Sequence, residues 1–168
     1  MSPSILAISY FFHLVATVVW IGGLVTLVIV VLPETRRVLG TNREFYALLT
    51  RLRKRFFPLT NLSLAVLVVT GLIQMSGDPH YEGVLQFSNT WTRVILAKHV
   101  AVLGMFVCGL ALQFYVVPDL ERAALLIEHH RGDPAELERL RRSELRLTWV
   151  NVLLGVLVLG FTAWATAL

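Results

Sequence analysis

Four apolar stretches, residues 5–32, 59–75, 94–117 and 147–168, contain no charged side chain except Lys98. All the other charges lie in the segments between and around them. Each stretch meets or approaches the ~20 residues needed to cross a ~30 Å hydrocarbon core as a helix. The pattern predicts an all-α integral membrane protein, a single four-transmembrane-helix domain over residues 1–168. The segments joining spans 1 and 2, and spans 3 and 4, also have helical periodicity. Residues 43–55 predict an amphipathic helix lying on the headgroups. Residues 121–130 and 135–147 predict two helices broken at Gly132-Asp133-Pro134, with Asp133 as N-cap, Pro134 at the first helical position and Glu136 completing a capping box.

The two halves resemble each other. Span 1 ends in Val31-Leu32-Pro33-Glu34 and span 3 in Val116-Val117-Pro118-Asp119, each followed by basic residues. Spans 2 and 4 begin their Leu/Val-rich runs at Asn61 and Asn151. The expected architecture is therefore a bundle of two pseudo-repeated helical hairpins. His13 lies 20 residues before Pro33, and Lys98 and His99 lie 20 and 19 before Pro118. At 1.5 Å per residue both sets sit roughly 28–30 Å from their prolines.

Composition agrees with the pattern: 56% of residues are hydrophobic and only 15% charged, which leaves too little polar surface for a water-soluble domain. The basic residues are unevenly placed. Arg36, Arg37, Arg43, Arg51, Arg53, Lys54 and Arg55 lie between spans 1 and 2, and Arg122, Arg131, Arg139, Arg141, Arg142 and Arg146 between spans 3 and 4. Arg93 alone lies between spans 2 and 3. The positive-inside rule then puts both basic segments in the cytoplasm and both termini outside, in the cell inner membrane. Orientation and contact with lipid headgroups account for the pI near 9.7, so the charge calls for no nucleic-acid partner. The first stretch, with no basic residue before it, reads as a membrane helix and not as a cleaved signal peptide. The single Cys108 excludes an intrachain disulfide.

An ionisable side chain within a membrane span is costly and marks a functional candidate. On span 1, Tyr10, His13, Thr17 and Trp20 recur at helical spacing and predict a polar-aromatic stripe facing the bundle. His13 is the candidate metal ligand; the alternative is an imidazole satisfied by a neighbouring Thr, Asn or backbone carbonyl. His99 is the second candidate ligand, on a face continuing through Val102, Phe106, Gly109 and Gln113. Lys98 points about 100° away around the helix. It pairs with a haem propionate, anchors a substrate carboxylate or is itself an axial ligand. Two imidazoles at matched depth suit a flat cofactor clamped between helices, most simply haem b, with Trp20 and Trp91 shaping the pocket. Electron transfer or a small oxidoreductase reaction would follow, with quinone or a redox partner subunit exchanging electrons. Copper handling through His13, Met75, Met105 and His80 is the alternative, and a cofactor-free accessory subunit of a larger membrane complex is a third. A homo-oligomer is compatible with each. No phosphate-binding loop, nucleophile–base pair or CxxCH motif is visible.

These residues also carry a family resemblance. His13 with Trp20-Ile-Gly-Gly, Arg55-Phe-Phe-Pro-Leu-Thr-Asn61, Thr70-Gly71-Leu72, Trp91 with Leu96-Ala-Lys98, and Leu140-Arg-Arg-Ser-Glu-Leu-Arg-Leu resemble the superfamily that holds the copper-resistance-D proteins and the HemJ-type protoporphyrinogen oxidases. The resemblance implies a four-helix core, haem b in HemJ-like members, and His13 and Lys98 as the positions of interest. HemJ-like chains carry a His two residues before the lysine; here that position is Leu96, and His99 follows the lysine instead.

Overall fold

A computed structural model describes residues 2–40, 43–79 and 89–168. Among these every regular element is helical, and four helices are long and apolar enough to cross a membrane. We label them α1 (Pro3–Leu39), α2 (Arg43–Gly77), α3 (Thr90–Ile127) and α4 (Pro134–Thr166). The chain divides into two compact units, residues 1–86 and 87–168. Each is a helical hairpin: α1 packs on α2, and α3 on α4.

The basic segments are not separate surface helices. Residues 43–55 continue without a break into the second span, through Pro58, as one 35-residue helix. Residues 135–147 likewise run straight into the fourth span as one 33-residue helix. At 1.5 Å per residue each is roughly 50 Å long and overshoots a 30 Å hydrocarbon core by several turns. Phe45 and Leu49 are buried, so this end of α2 has protein on its apolar face and needs no headgroup layer to cover it. The overshooting part of the second hairpin has its own small core of Leu120, Ala123 and Leu137, flanked by Ala124, Ile127 and Leu140.

The turn between α3 and α4 follows the expected break, with one refinement. Asp133 caps α4 by accepting a hydrogen bond from Ala135 N–H at 2.8 Å, and Pro134 is the first helical residue. The residue that leaves the helix in left-handed conformation is His130, at φ 57°, and not Gly132. Arg131 N–H reaches Leu126 O at 2.9 Å and His130 N–H reaches Ile127 O at 3.0 Å, the paired bonds that close a helix end. Gly132 is required for space, because a Cβ there would lie 2.6 Å from Ile127 N.

The internal repeat has a backbone signature. A π turn, Leu27–Val31, leads into the Pro33 segment, and another, Leu112–Val116, leads into the Pro118 segment. Proline has no N–H for the carbonyl four residues back and its ring crowds that turn, so a widened turn just before it relieves both. The leading asparagines are not equivalent in burial: Asn151 is buried and Asn61 exposed.

Candidate functional site

In the first hairpin, the face of α1 that meets α2 runs Ser9, His13, Ala16, Trp20, then Leu24 and Val28. Ser9, Ala16 and Trp20 are buried and His13 half-buried. Spacings of four and three keep these residues on one side of the helix. A further π turn at Val18–Gly22 adds one residue to the repeat, so that Trp20 and Ile21 are both buried. Tyr10 is 45% exposed and lies off this face. The polar stripe is therefore rotated by one residue from the expected one, and Ser9 takes the place given to Tyr10.

Across from this face, α2 presents Ser63, Thr70 and Gln74, and hydrogen bonds join the two helices. Ser9 Oγ donates to Thr70 O at 3.1 Å, Gln74 Nε2 donates to Ser9 O at 3.3 Å, and His13 Nδ1 lies 2.8 Å from Thr70 Oγ1. The His13 ring lies beside Gly71, where a Cβ would meet its Cε1 at 3.7 Å, an ordinary van der Waals contact.

The proton count fixes the chemistry of His13. Thr70 has one hydroxyl proton, and it is directed to Val66 O at 2.6 Å. Its oxygen is then the acceptor for His13, which puts a proton on Nδ1 of the ring. This is the contact expected of a structurally satisfied histidine. It is also the arrangement that orients a metal-ligating histidine, through a hydrogen bond on the ring nitrogen away from the metal. Thr17 donates its hydroxyl to His13 O at 2.8 Å, which ties it to the backbone of its own helix.

In the second hairpin, the seam of α3 runs Trp91, Val94, Lys98, Ala101, Met105, Cys108 and Leu112. Trp91 is buried in the first turn of the helix, whose start is capped by Asn89, the side chain of which accepts from Thr92 N–H at 2.7 Å. Lys98 is half-buried on this seam. His99, the next residue, is on the exposed side, with Nδ1 held 2.7 Å from Ile95 O. A carbonyl only accepts, so Nδ1 of His99 carries a proton. The face drawn through His99 and Phe106 is thus the outer one within this hairpin, since Phe106 is 39% exposed.

On α4, Asn151, Val152 and Gly155 are buried. Gly104 of α3 comes so close to Leu154 that an added Cβ would lie 3.2 Å from its Cδ1. The second hairpin carries Lys98 where the first carries His13, each 20 residues before its proline.

Among the described residues no three His, Cys, Asp or Glu side chains gather into a metal cage. Met75 is half-buried on α2, Met105 is fully buried on α3, and His80 lies outside the described residues.

The family model for copper resistance protein D matches residues 50–165, more than half of the chain. The chain belongs to the CopD family. This membership, with four membrane-length helices, makes it a multi-pass membrane protein related to copper resistance, embedded in lipid. The matched range takes in Thr70, Gln74, Lys98, His99, Met105, Cys108 and Asn151; His13 lies on the helix before it. No curated protein and no solved structure matches this CopD-family chain.

Proposed function

We propose that this CopD-family chain handles copper within the membrane, and that a copper ion in passage is bound by Nε2 of His13. The observation that carries the reading is the Nδ1–Thr70 hydrogen bond. With the proton on Nδ1, the ring has the tautomer that leaves Nε2 for a metal. Imidazole suits copper, and thioether sulfur suits Cu(I). Met75, on the same helix as Thr70 and Gln74, is the candidate soft co-ligand. A site with few protein ligands also fits a transported ion, which must leave as readily as it enters. The basic segments supply the sidedness, with Arg36–Arg55 and Arg122–Arg146 in the cytoplasm and both termini outside.

Anaerobic titration of the purified protein with Cu(I), against a chromophoric chelator, tests this reading. The expected result is a copper equivalent that His13→Ala abolishes. Retention of all bound copper by that variant overturns it.

A haem b protein is the second reading. Its support is the same His13, whose Nδ1 contact with Thr70 leaves Nε2 for axial ligation. Haem would supply one-electron redox chemistry, with quinone or a partner subunit as the exchange partner. A Soret band in the purified protein, lost in His13→Ala, selects this reading; a colourless protein that binds copper selects the first.

A further inference from the structure

Opposite its buried seam, each of the long helices α2 and α4 presents an exposed stripe that is basic at one end and apolar at the other. On α4 the stripe runs Arg139, Arg142, Arg146, Trp149, Leu153 and Val156, at spacings of three and four that hold it on one side of the helix. All six are exposed, while Leu137, Asn151 and Gly155 are buried on the opposite side. On α2, Arg51, Lys54 and Arg55 lead in the same way to exposed Leu62 and Val69, with Leu49, Ser63 and Thr70 buried on the far side. Each stripe turns from basic to apolar where its helix enters the span. At 1.5 Å per residue, Arg146, Arg142 and Arg139 lie roughly 2, 8 and 12 Å outside Leu147, the first residue of the apolar stretch. A headgroup layer is roughly 5–8 Å deep. Side chains on a helix lean toward its N-terminus, here away from the hydrocarbon, so these arginines are set to reach the phosphate level.

We propose that the α4 stripe and its α2 counterpart each bind one anionic phospholipid in preference to zwitterionic lipid. On α4 the phosphate sits between Arg142 and Arg146, Trp149 meets the boundary between glycerol and acyl chain, and a chain follows Leu153 and Val156. Charge complementarity selects the headgroup, because a guanidinium fork pairs with two phosphate oxygens at once. The apolar continuation of the same stripe selects a molecule with a tail, which a free phosphate lacks. Tryptophan suits the level where one end of the ring is wet and the other apolar. Arg142 is already paired with Glu138, Nε to Oε1 at 3.7 Å, but both side chains are more than half exposed, so the pair is weak and yields to a phosphate. The orientation proposed above places both stripes at the cytoplasmic leaflet, whose surface is anionic. The lipid sites do not depend on copper binding.

Native mass spectrometry of the full-length protein, released from micelles doped with phosphatidylglycerol or phosphatidylcholine, counts the lipids that stay bound. We expect two phosphatidylglycerol adducts under conditions that strip phosphatidylcholine. Arg142→Gln weakens one adduct about fivefold, and adding Arg146→Gln weakens it roughly 25-fold. Arg51→Gln with Arg55→Gln does the same to the other. Arg131→Gln removes one charge from the turn, off both stripes, and leaves both adducts unchanged. Arg142→Lys with Arg146→Lys keeps the charge without the fork, so it holds the lipid more weakly than wild type and more tightly than the glutamines. All the substituted residues are exposed, so thermal midpoints measured without lipid stay at the wild-type value. Equal retention of the two lipids overturns the proposal and leaves the stripes to solvent or to an acidic protein surface. An equal loss in Arg131→Gln overturns it too, because net charge and not the stripe would then hold the lipid. Displacement of the adducts by millimolar inorganic phosphate overturns the lipid as the occupant.

Discussion

Thr70 does several jobs at once in the first hairpin. Its hydroxyl donates to Val66 O and accepts from His13, while its carbonyl accepts from Ser9. Thr70→Val keeps the shape and removes the acceptor. Loss of one interhelical hydrogen bond in a membrane costs about 0.6–1.7 kcal/mol, and loss of an outer-shell partner weakens metal affinity about 10–100-fold. Chelator competition is expected to show that drop for Thr70→Val and near-wild-type affinity for Thr70→Ser. Gly23 makes a second residue-scale case, since a Cβ there would lie 2.7 Å from Phe56 Cε2. Gly23→Ala is expected to lower the thermal midpoint, and adding Phe56→Leu to recover it, because only the end of one side chain must yield. The sequence marked His13 as chemically special, but it did not show that Ser9 and not Tyr10 shares its face. Neighbouring residues differ by about 100° around a helix, and the partner helix settles which of them turns inward. Lys98 and His99 pose the same problem, and there the seam goes to Lys98.

At the scale of elements, hydropathy located all four spans because lipid demands length and apolarity and little else. Continuity through Pro58 was not legible. A proline normally ends a helix, yet within a membrane helix its lost hydrogen bond is tolerated when neighbouring groups compensate. The π turns were equally hidden, because they leave the apolar composition unchanged and shift only the phase of the seam. The turn at residues 129–133 was legible apart from which residue takes the left-handed conformation. Gly132→Ala is expected to destabilise the second hairpin, since its Cβ would meet backbone. His130→Gly is expected to stabilise it by several tenths of a kcal/mol up to about 1, because glycine adopts a positive φ without steric cost. Thermal unfolding of the two variants should move in opposite directions from wild type.

For the whole molecule, the two hairpins share a plan. Each carries a π turn before a proline, a long second helix that overshoots the bilayer, and a polar group 20 residues before that proline. The first hairpin joins its helices through Ser9, His13, Thr70 and Gln74; the second brings Gly104 close to Leu154. Sidedness belongs to this scale, because it depends on the sum of the basic residues and on no single one. In a Cys108→Ala background, a thiol introduced by Arg131→Cys should react with an impermeant reagent only after the cells are opened. One introduced by Ser2→Cys should react with intact spheroplasts, and the reverse pattern would invert the orientation. The copper relation was within reach of the sequence through its short motifs. The ligand geometry was not, since it depends on which hydroxyl faces the imidazole, and that follows only from packing.

Nitrogen-15 NMR of the histidine-labelled protein in micelles, with the His13 ring assigned by its loss in His13→Ala, is the most direct test of the account. Before copper is added, the ring should show a protonated Nδ1 and an unprotonated Nε2. Stoichiometric Cu(I) should then shift Nε2 strongly and leave Nδ1 bonded to Thr70. An Nδ1 that responds first, or a His13 ring that copper leaves untouched, would contradict it.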